Sequence, residues 1–173
     1  MKITLETNRL LLRPFKMEDA KDMFEGWTSD DEVTKYLSWN THKSIDDTIS
    51  ILTFWIDQYK KSERLNCAIV LKENNQLIGS IDVCGYINDV PIIGYTLSRK
   101  YWNNGYMTEA CQKVINYLFE LGYNQVKIDA AVDNIGSNKV IKKCGGTYIE
   151  TTDDYVSKKD MTMQINRYIV YKK

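Results

Sequence analysis

At 173 residues, 43% hydrophobic and 27% charged, the chain has the length and composition of one folded domain around a single substantial core. Lysine plus arginine and aspartate plus glutamate each number 23, so the formal net charge is zero, which argues against a dedicated nucleic-acid binder with its basic excess. No run approaches the ~18 apolar residues of a membrane span. The charge-interrupted opening MKITLETNRLLLRPF lacks a signal-peptide core, so a cytoplasmic protein is expected.

In chain order, residues 9–13 read as a short apolar strand that Pro14 ends. Met17, Ala20, Met23, Phe24 and Trp27 recur at helical spacing, predicting a helix over 17–27. Ser44 suits an N-cap, with Asp46 and Asp47 near the positive helix end. The helix after it carries Ile45, Ile49, Leu52, Ile56 and Tyr59 on one stripe. Strands are expected over 66–71, 77–83 and 92–97, the first two joined by a hairpin at 73–76 and a second turn at 87–89. A long helix presents Met107, Ala110, Cys111, Val114, Ile115 and Leu118 on its buried face and stops near Gly122. A strand over 126–132, a short helix over 137–143 ended by Gly145-Gly146, and strands over 147–155 and 161–171 follow. Hairpins beside one crossover helix imply an α+β fold, a mixed sheet with helices on both faces.

The four cysteines (Cys67, Cys84, Cys111, Cys144) form no C-x-x-C pair and read as reduced structural thiols. His42, the single histidine, reads as a solvated loop residue, and neither a metal site nor a Ser-His-Asp triad is expected. The run YWNNGYMTEA, between the strand at 92–97 and the long helix, is the strongest functional signal. A strand turning through a small-residue loop into a helix leaves backbone N–H groups open at the positive helix end, which suits a phosphate or pyrophosphate. Asn103, Asn104 and Gly105 allow close backbone approach, and Thr108 adds a hydroxyl. The chain has no G-x-x-x-x-G-K-[ST] and no G-x-G-x-x-G, which disfavours a nucleotide-binding protein.

Three segments, TNRLLLRPFKMEDA, LIGSI with IIGYTLSRKYWNNGYMTEA, and DNIGSNKVIKKCGG, together resemble the GNAT acetyltransferase superfamily, in particular its RimJ/RimL-like branch. The resemblance spans nearly the whole chain. It implies a GNAT fold: a mixed, mostly antiparallel sheet of about six to seven strands, helices on both faces, and two splayed parallel strands, here 92–97 and 126–132. It also implies acetyl-CoA as co-substrate, with no metal, and an amine acceptor. By the resemblance, the pantetheine arm pairs with the backbone around Tyr95, Thr96 and Leu97. The pyrophosphate takes N–H groups from Asn103, Asn104, Gly105, Tyr106 and Met107, helped by Thr108, with Trp102 opening the loop. Asn134 hydrogen-bonds the arm, and Arg99 and Lys143 reach toward the nucleotide.

The implied reaction is acyl transfer from a thioester to a neutral amine. An oxyanion donor is expected from a backbone N–H near 95–97. The tyrosine that many members place seven residues after the motif asparagine is Ile141 here, so Ser137 is the implied donor to the leaving thiolate, unless it caps its helix instead. Met107 crowds the first helical turn, and Gly146 stands where a large apolar residue is common. No base is singled out: Ile92 takes the place of the branch's strand glutamate, Asp82 and Glu150 could face the cleft but read first as solvated surface carboxylates, and Glu109 reads as a structural residue of the binding helix. Trp27, Tyr36, Trp39 and Trp55 read as core aromatics or as a wall on the acceptor side. A protein N-terminal α-amine leads among acceptors. Small amines (amino acids, polyamines, antibiotics) and a non-catalytic acyl-CoA sensor are the alternatives. The run 168–171 suggests a homodimer edge.

Overall fold

The computed structural model describes residues 3–61 and 65–173. One eight-stranded sheet runs through it in the order β1-β2-β3-β4-β5-β6-β8-β7. The strands are β1 (Leu5–Glu6), β2 (Leu10–Arg13), β3 (Asn66–Leu71), β4 (Leu77–Ile87), β5 (Val90–Leu97), β6 (Gln125–Ala131), β7 (Thr147–Val156) and β8 (Met161–Tyr171). Every neighbouring pair is antiparallel except β5–β6. The expected six to seven strands become eight because Leu5 and Glu6 pair with Leu12 and Leu11. Two residues are too short to carry a readable alternation.

Period-two alternation sends the two sides of the sheet into two cores. On one side Leu10, Leu12, Ile69, Ile81, Val83, Ile93 and Ile128 meet α4 (Tyr106–Glu120) and α5 (Ile135–Lys143). The six apolar positions expected on the long helix are all buried there. On the other side Ala68, Val70 and Leu77 meet Phe15, Met23, Trp27 and Leu52 of the segments between β2 and β3. Each fully buried large apolar side chain contributes about 1.5–3 kcal/mol.

Those segments differ from the expected single helix over 17–27. A 3-10 turn (Met17–Asp19) leads into α1 (Ala20–Met23) and then a π-helical turn (Phe24–Thr28), followed by α2 (Asp31–Thr34). The wide turn is seen in the Ser29 N–H donating to the Phe24 carbonyl at 3.3 Å. In α3 (Ile45–Lys61) the Asp47 carboxylate accepts from the backbone N–H groups of Lys43 and Ser44, closing the helix start. His42 is half-buried, not solvated: its Nδ1 lies 2.7 Å from Thr48 Oγ1 and its ring 5.2 Å from that of Trp39. Burial pulls its pKa below the usual value.

β4 and β5 run further than expected because the turn between them is tight. Asn88 and Asp89 take φ of 51° and 61°, the left-handed pair a two-residue hairpin requires. The dimer-edge reading of 168–171 is corrected as well. β8 lies between β6 and β7, and Tyr168 and Val170 are buried in the core. The outer edge is β7. Among the described residues no helix is long and apolar enough to cross a membrane.

Candidate active site

β5 and β6 pair only at Ile92↔Lys127 and Ile93↔Ile128. Beyond those pairs β5 follows β4 as far as Leu97↔Gly79, and β6 follows β8 as far as Ala131↔Ile165. A wedge therefore opens from Gly94 on one side and Asp129 on the other. Backbone of β5 beyond Gly94 has no strand neighbour on that side, which leaves a strand edge for an extended ligand to pair with. At the far end the Trp102 indole N–H donates to the Leu97 carbonyl at 2.8 Å. That bond anchors the start of the following loop and uses one acceptor of the edge.

The loop then climbs to α4. Asn103 and Gly105 take φ of 62° and 78°, and the Asn104 side-chain amide donates to the Trp102 carbonyl at 2.8 Å. Glycine is required at 105, where the φ is left-handed and an added Cβ would lie 3.5 Å from Arg9 Nη2. The first helical bond is Glu109 N–H to the Gly105 carbonyl at 3.0 Å. The N–H groups of Tyr106, Met107 and Thr108 stand ahead of it at the positive helix end. Met107 does not crowd this cradle, because its side chain turns into the core and is only 5% exposed.

Thr7 and Arg9, to which sequence reasoning gives no role, hold the loop through Glu109, which it reads as structural. Arg9 Nε lies 2.7 Å from Glu109 Oε2, Arg9 Nη1 donates to the Asn104 carbonyl at 3.0 Å, and its guanidinium carbon sits 4.4 Å from the Tyr106 ring centroid. Thr7 Oγ1 and the Arg9 N–H both donate to Glu109 Oε1, at 2.6 and 3.0 Å. Burial pushes the Glu109 carboxyl up, but the hydrogen bonds from Thr7 and Arg9 outweigh it and hold the group below the usual range. The T-x-R motif carries the signal, yet no local pattern points to its partner 100 residues away.

Across the wedge, α5 starts at Ile135, two residues earlier than expected. Its cap is Asn134, whose Oδ1 accepts from the Ser137 N–H at 3.1 Å. Ser137 is therefore not the cap. Its hydroxyl lies in the first turn, with Oγ 2.8 Å from Tyr95 Oη. Burial pushes the Tyr95 phenol far above its ordinary pKa, so it stays protonated. Behind them Asn138 locks the turn, donating to the Ala131 and Asn134 carbonyls and accepting from Tyr168 Oη. Ile141 is fully buried. The Cys144 thiol lies 3.7 Å from the Thr108 carbonyl, and Lys143 beside it is exposed. Arg99 pairs with Asp30 at 3.1 Å.

On the opposite side of the sheet the wedge is bordered by Asp82 and Asp129. Asp82 pairs with Gly94, where an added Cβ would lie 3.2 Å from its Oδ1. Asp129 is the first β6 residue beyond the last parallel pair. Arg167 joins it to Asp154, with Thr152 accepting from Arg167 Nε at 3.2 Å. Burial raises the Asp129 pKa against the pull of Arg167. A carboxylate set among Ile128, Ala130 and Ala131 at the end of β6 is the available signal for Asp129. Glu150 lies on the outer strand β7 and is exposed. The tip of the β7–β8 hairpin reaches the end of α2 and the segment after it: Lys159 Nζ donates to the Thr34 carbonyl at 2.7 Å and Asn40 Nδ2 to the Lys158 carbonyl at 2.7 Å. Trp27 is core, while Tyr36, Trp39 and Trp55 are half-buried on this side.

A sheet with one splayed parallel pair and an open helix start between its arms defines an acyl-CoA-dependent transferase fold. The family model for the acetyltransferase (GNAT) domain matches residues 9–147, and the chain belongs to that family. It is similar to the N-acetyltransferase YoaA of Bacillus subtilis, 31% identical over 144 residues covering 82% of this chain and 81% of YoaA. A GNAT-family acetyltransferase from Bacillus anthracis superposes with a TM-score of 0.85 at 24% identity, covering 98% of both chains. The ribosomal-protein α-N-acetyltransferase RimL, solved with coenzyme A, superposes at 0.83 with 17% identity, covering 98% of both chains. The chain is an acetyl-CoA-dependent N-acetyltransferase. Its residues fit that co-substrate: an unpaired strand edge suits the arm's amides and an open helix start suits the diphosphate.

Proposed function

We propose that this enzyme acetylates the α-amine of a protein N-terminus, with Asp129 taking the amine proton and Ser137 serving the departing thiolate. The observation that carries the reading is the wedge after Ile93 and Ile128, which opens to both sides of the sheet. Ser137 and the helix starts lie on one side and the carboxylates on the other, so donor and acceptor have separate approaches. Acetyl-CoA supplies an acetyl thioester.

Backbone N–H groups of 103–108 hold the diphosphate, with Thr108 adding its hydroxyl and Lys143 standing near the nucleotide. Edge groups of Tyr95, Thr96 and Leu97 hold the arm, with Asn134 at its side. A free N–H of this edge donates to the carbonyl oxygen as it becomes an oxyanion. Asp129, raised in pKa by burial, is a better proton acceptor than an ordinary aspartate. As the C–N bond forms, the amine proton passes to Asp129, directly or through water. As the C–S bond breaks, Ser137 donates to the sulfur while Tyr95, held protonated, donates to Ser137 Oγ. A peptide α-amine ordinarily titrates at about 7.7–8.0, so a useful neutral fraction exists at pH 7.

RimL, similar in fold, carries the name of a ribosomal-protein α-N-acetyltransferase, which supports the same acceptor class. The bridges from Asn40 and Lys159 enclose the acceptor side and favour, as a second reading, a small primary amine. An acceptor screen with acetyl-CoA and thiol detection tests both, setting N-terminal peptides against amino acids, polyamines and aminoglycosides. Turnover on peptides supports the first reading. Turnover confined to small amines overturns it.

A further inference from the structure

We infer that Arg9 is a positioning residue for the diphosphate loop, holding its backbone in place and neutralising the Glu109 carboxylate beside it. This rests on the reading that residues 103–108 hold the diphosphate of coenzyme A. The arrangement poses a conflict that Arg9 resolves. Glu109 stands in the first turn of α4, where an acidic side chain stabilises the helix through its dipole. An incoming diphosphate uses the same positive end, and an uncompensated carboxylate there repels it.

Arg9 answers on three fronts from the bend just before β2. Nε takes one oxygen of Glu109 at 2.7 Å. Nη1 ties the Asn104 carbonyl at 3.0 Å, just before the left-handed Gly105. The guanidinium plane covers the Tyr106 ring at 4.4 Å, fixing the first helical residue. The second oxygen of Glu109 is taken by Thr7 and by the Arg9 N–H, so the carboxylate is bound from both sides. Arg9 is 46% exposed against 20% for Glu109, so its guanidinium forms the outer layer of the loop and adds positive charge to it. Lysine at this position would supply the charge but not the fork that joins a carboxylate and a carbonyl at once.

The test is calorimetric titration of coenzyme A into the purified chain, with steady-state kinetics in acetyl-CoA and melting temperatures for each variant. Arg9→Ala is expected to weaken coenzyme A binding by roughly tenfold and to raise KM for acetyl-CoA alike, with kcat at saturation much less affected. Arg9→Lys should fall between it and wild type. Adding Glu109→Gln to Arg9→Ala should restore most of the affinity, because the glutamine keeps its acceptor oxygen for Thr7 and loses the charge. Glu109→Gln alone should bind coenzyme A more tightly than wild type, a readout that survives if the alanine variant fails to fold.

Affinity within about twofold of wild type for Arg9→Ala overturns the inference. So does a double variant as weak as the single one, or a Glu109→Gln that binds no tighter. Wild-type chain that takes up no coenzyme A sinks the underlying reading of the loop instead, and the two failures are told apart by that first titration.

Discussion

Tyr95 Oη lies 2.8 Å from Ser137 Oγ, a hydrogen bond that joins β5 to the first turn of α5 just past the point where β5 leaves β6. Either hydroxyl can donate. The proposed role requires the arrangement in which Tyr95 donates to Ser137 Oγ and leaves the serine proton for a ligand. Removing the serine hydroxyl should lower kcat with little effect on KM for acetyl-CoA. A thiolate leaves with a conjugate-acid pKa of about 8.5, so it needs less help than an amine or alkoxide. The loss for Ser137→Ala is therefore set at about 10–100-fold, at or below the low end for general acid catalysis. Tyr95→Phe, which only frees the serine to rotate, should cost less. Steady-state kinetics in both substrates decide it, and a Ser137→Ala enzyme with full kcat removes the catalytic role.

The Asp129 carboxyl predicts a pH profile with a definite direction. A proton acceptor works only as the carboxylate, so kcat/KM should fall as pH drops through the Asp129 pKa. Burial has raised that pKa above its usual value, moving the acid limb to higher pH than an ordinary aspartate gives. Asp154 nearby raises it further, and Arg167 lowers it. Arg167→Ala should therefore move the limb to still higher pH, whereas Asp154→Asn should move it lower. Asp129→Asn should abolish the limb and reduce kcat/KM by about 100-fold or more. A profile unchanged in Asp129→Asn would assign proton removal to another group.

Much of this site is legible in the sequence because its signals are local. The loop from Trp102 to Thr108 announces itself through Gly105 and the apolar helix behind it, and the helix over 106–120 through its 3.6-residue period. What stays hidden depends on contacts distant in sequence. Arg9 meets Glu109 across 100 residues, and Asp129 meets Arg167 across 38. Periodicity says nothing about such pairs. The split of 17–27 into three kinds of turn is hidden for a different reason. Apolar residues at spacings of three and four fit an α-helix and a π-turn equally well over so short a stretch. Ser137 reads as a possible cap because serine suits that role, but Asn134 three residues earlier suits it as well and is the residue that takes it.

Ile141 and Gly146 explain each other. A Cβ added at Gly146 would lie 2.5 Å from the Ile141 Cγ2 methyl and 2.9 Å from its carbonyl oxygen. Ile141 is fully buried, so the large apolar residue often found after the final glycine has no room here. Installing a tyrosine acid by Ile141→Tyr should accordingly overpack the core. The expected cost is about 1–3 kcal/mol in denaturant unfolding, with no gain in kcat. Gly146→Ala should destabilise too, since backbone as well as side chain stands in the way. An Ile141→Tyr enzyme that is faster and equally stable would show that this position reaches the thiolate.

The layer between β2 and β3 is joined to the sheet by a buried ion pair. Arg13 at the end of β2 makes a two-pronged contact with Asp19, Nη1 to Oδ2 at 2.7 Å and Nη2 to Oδ1 at 2.8 Å. Asp19 Oδ2 also accepts from the Lys16 N–H at 3.0 Å, so the same carboxylate closes the turn leading into α1. Asp19 is 4% exposed and Arg13 21%, which puts the pair well beyond the surface class whose worth is near zero. Asp19→Ala leaves a half-buried guanidinium without its anion and a turn without its acceptor. Stability should fall by about 2–4 kcal/mol in urea unfolding, more than removal of either interaction alone. Replacing both Arg13 and Asp19 by apolar residues should cost less than Asp19→Ala, because no charge is then stranded. A loss under about 0.5 kcal/mol for Asp19→Ala would mean water screens the pair despite its burial.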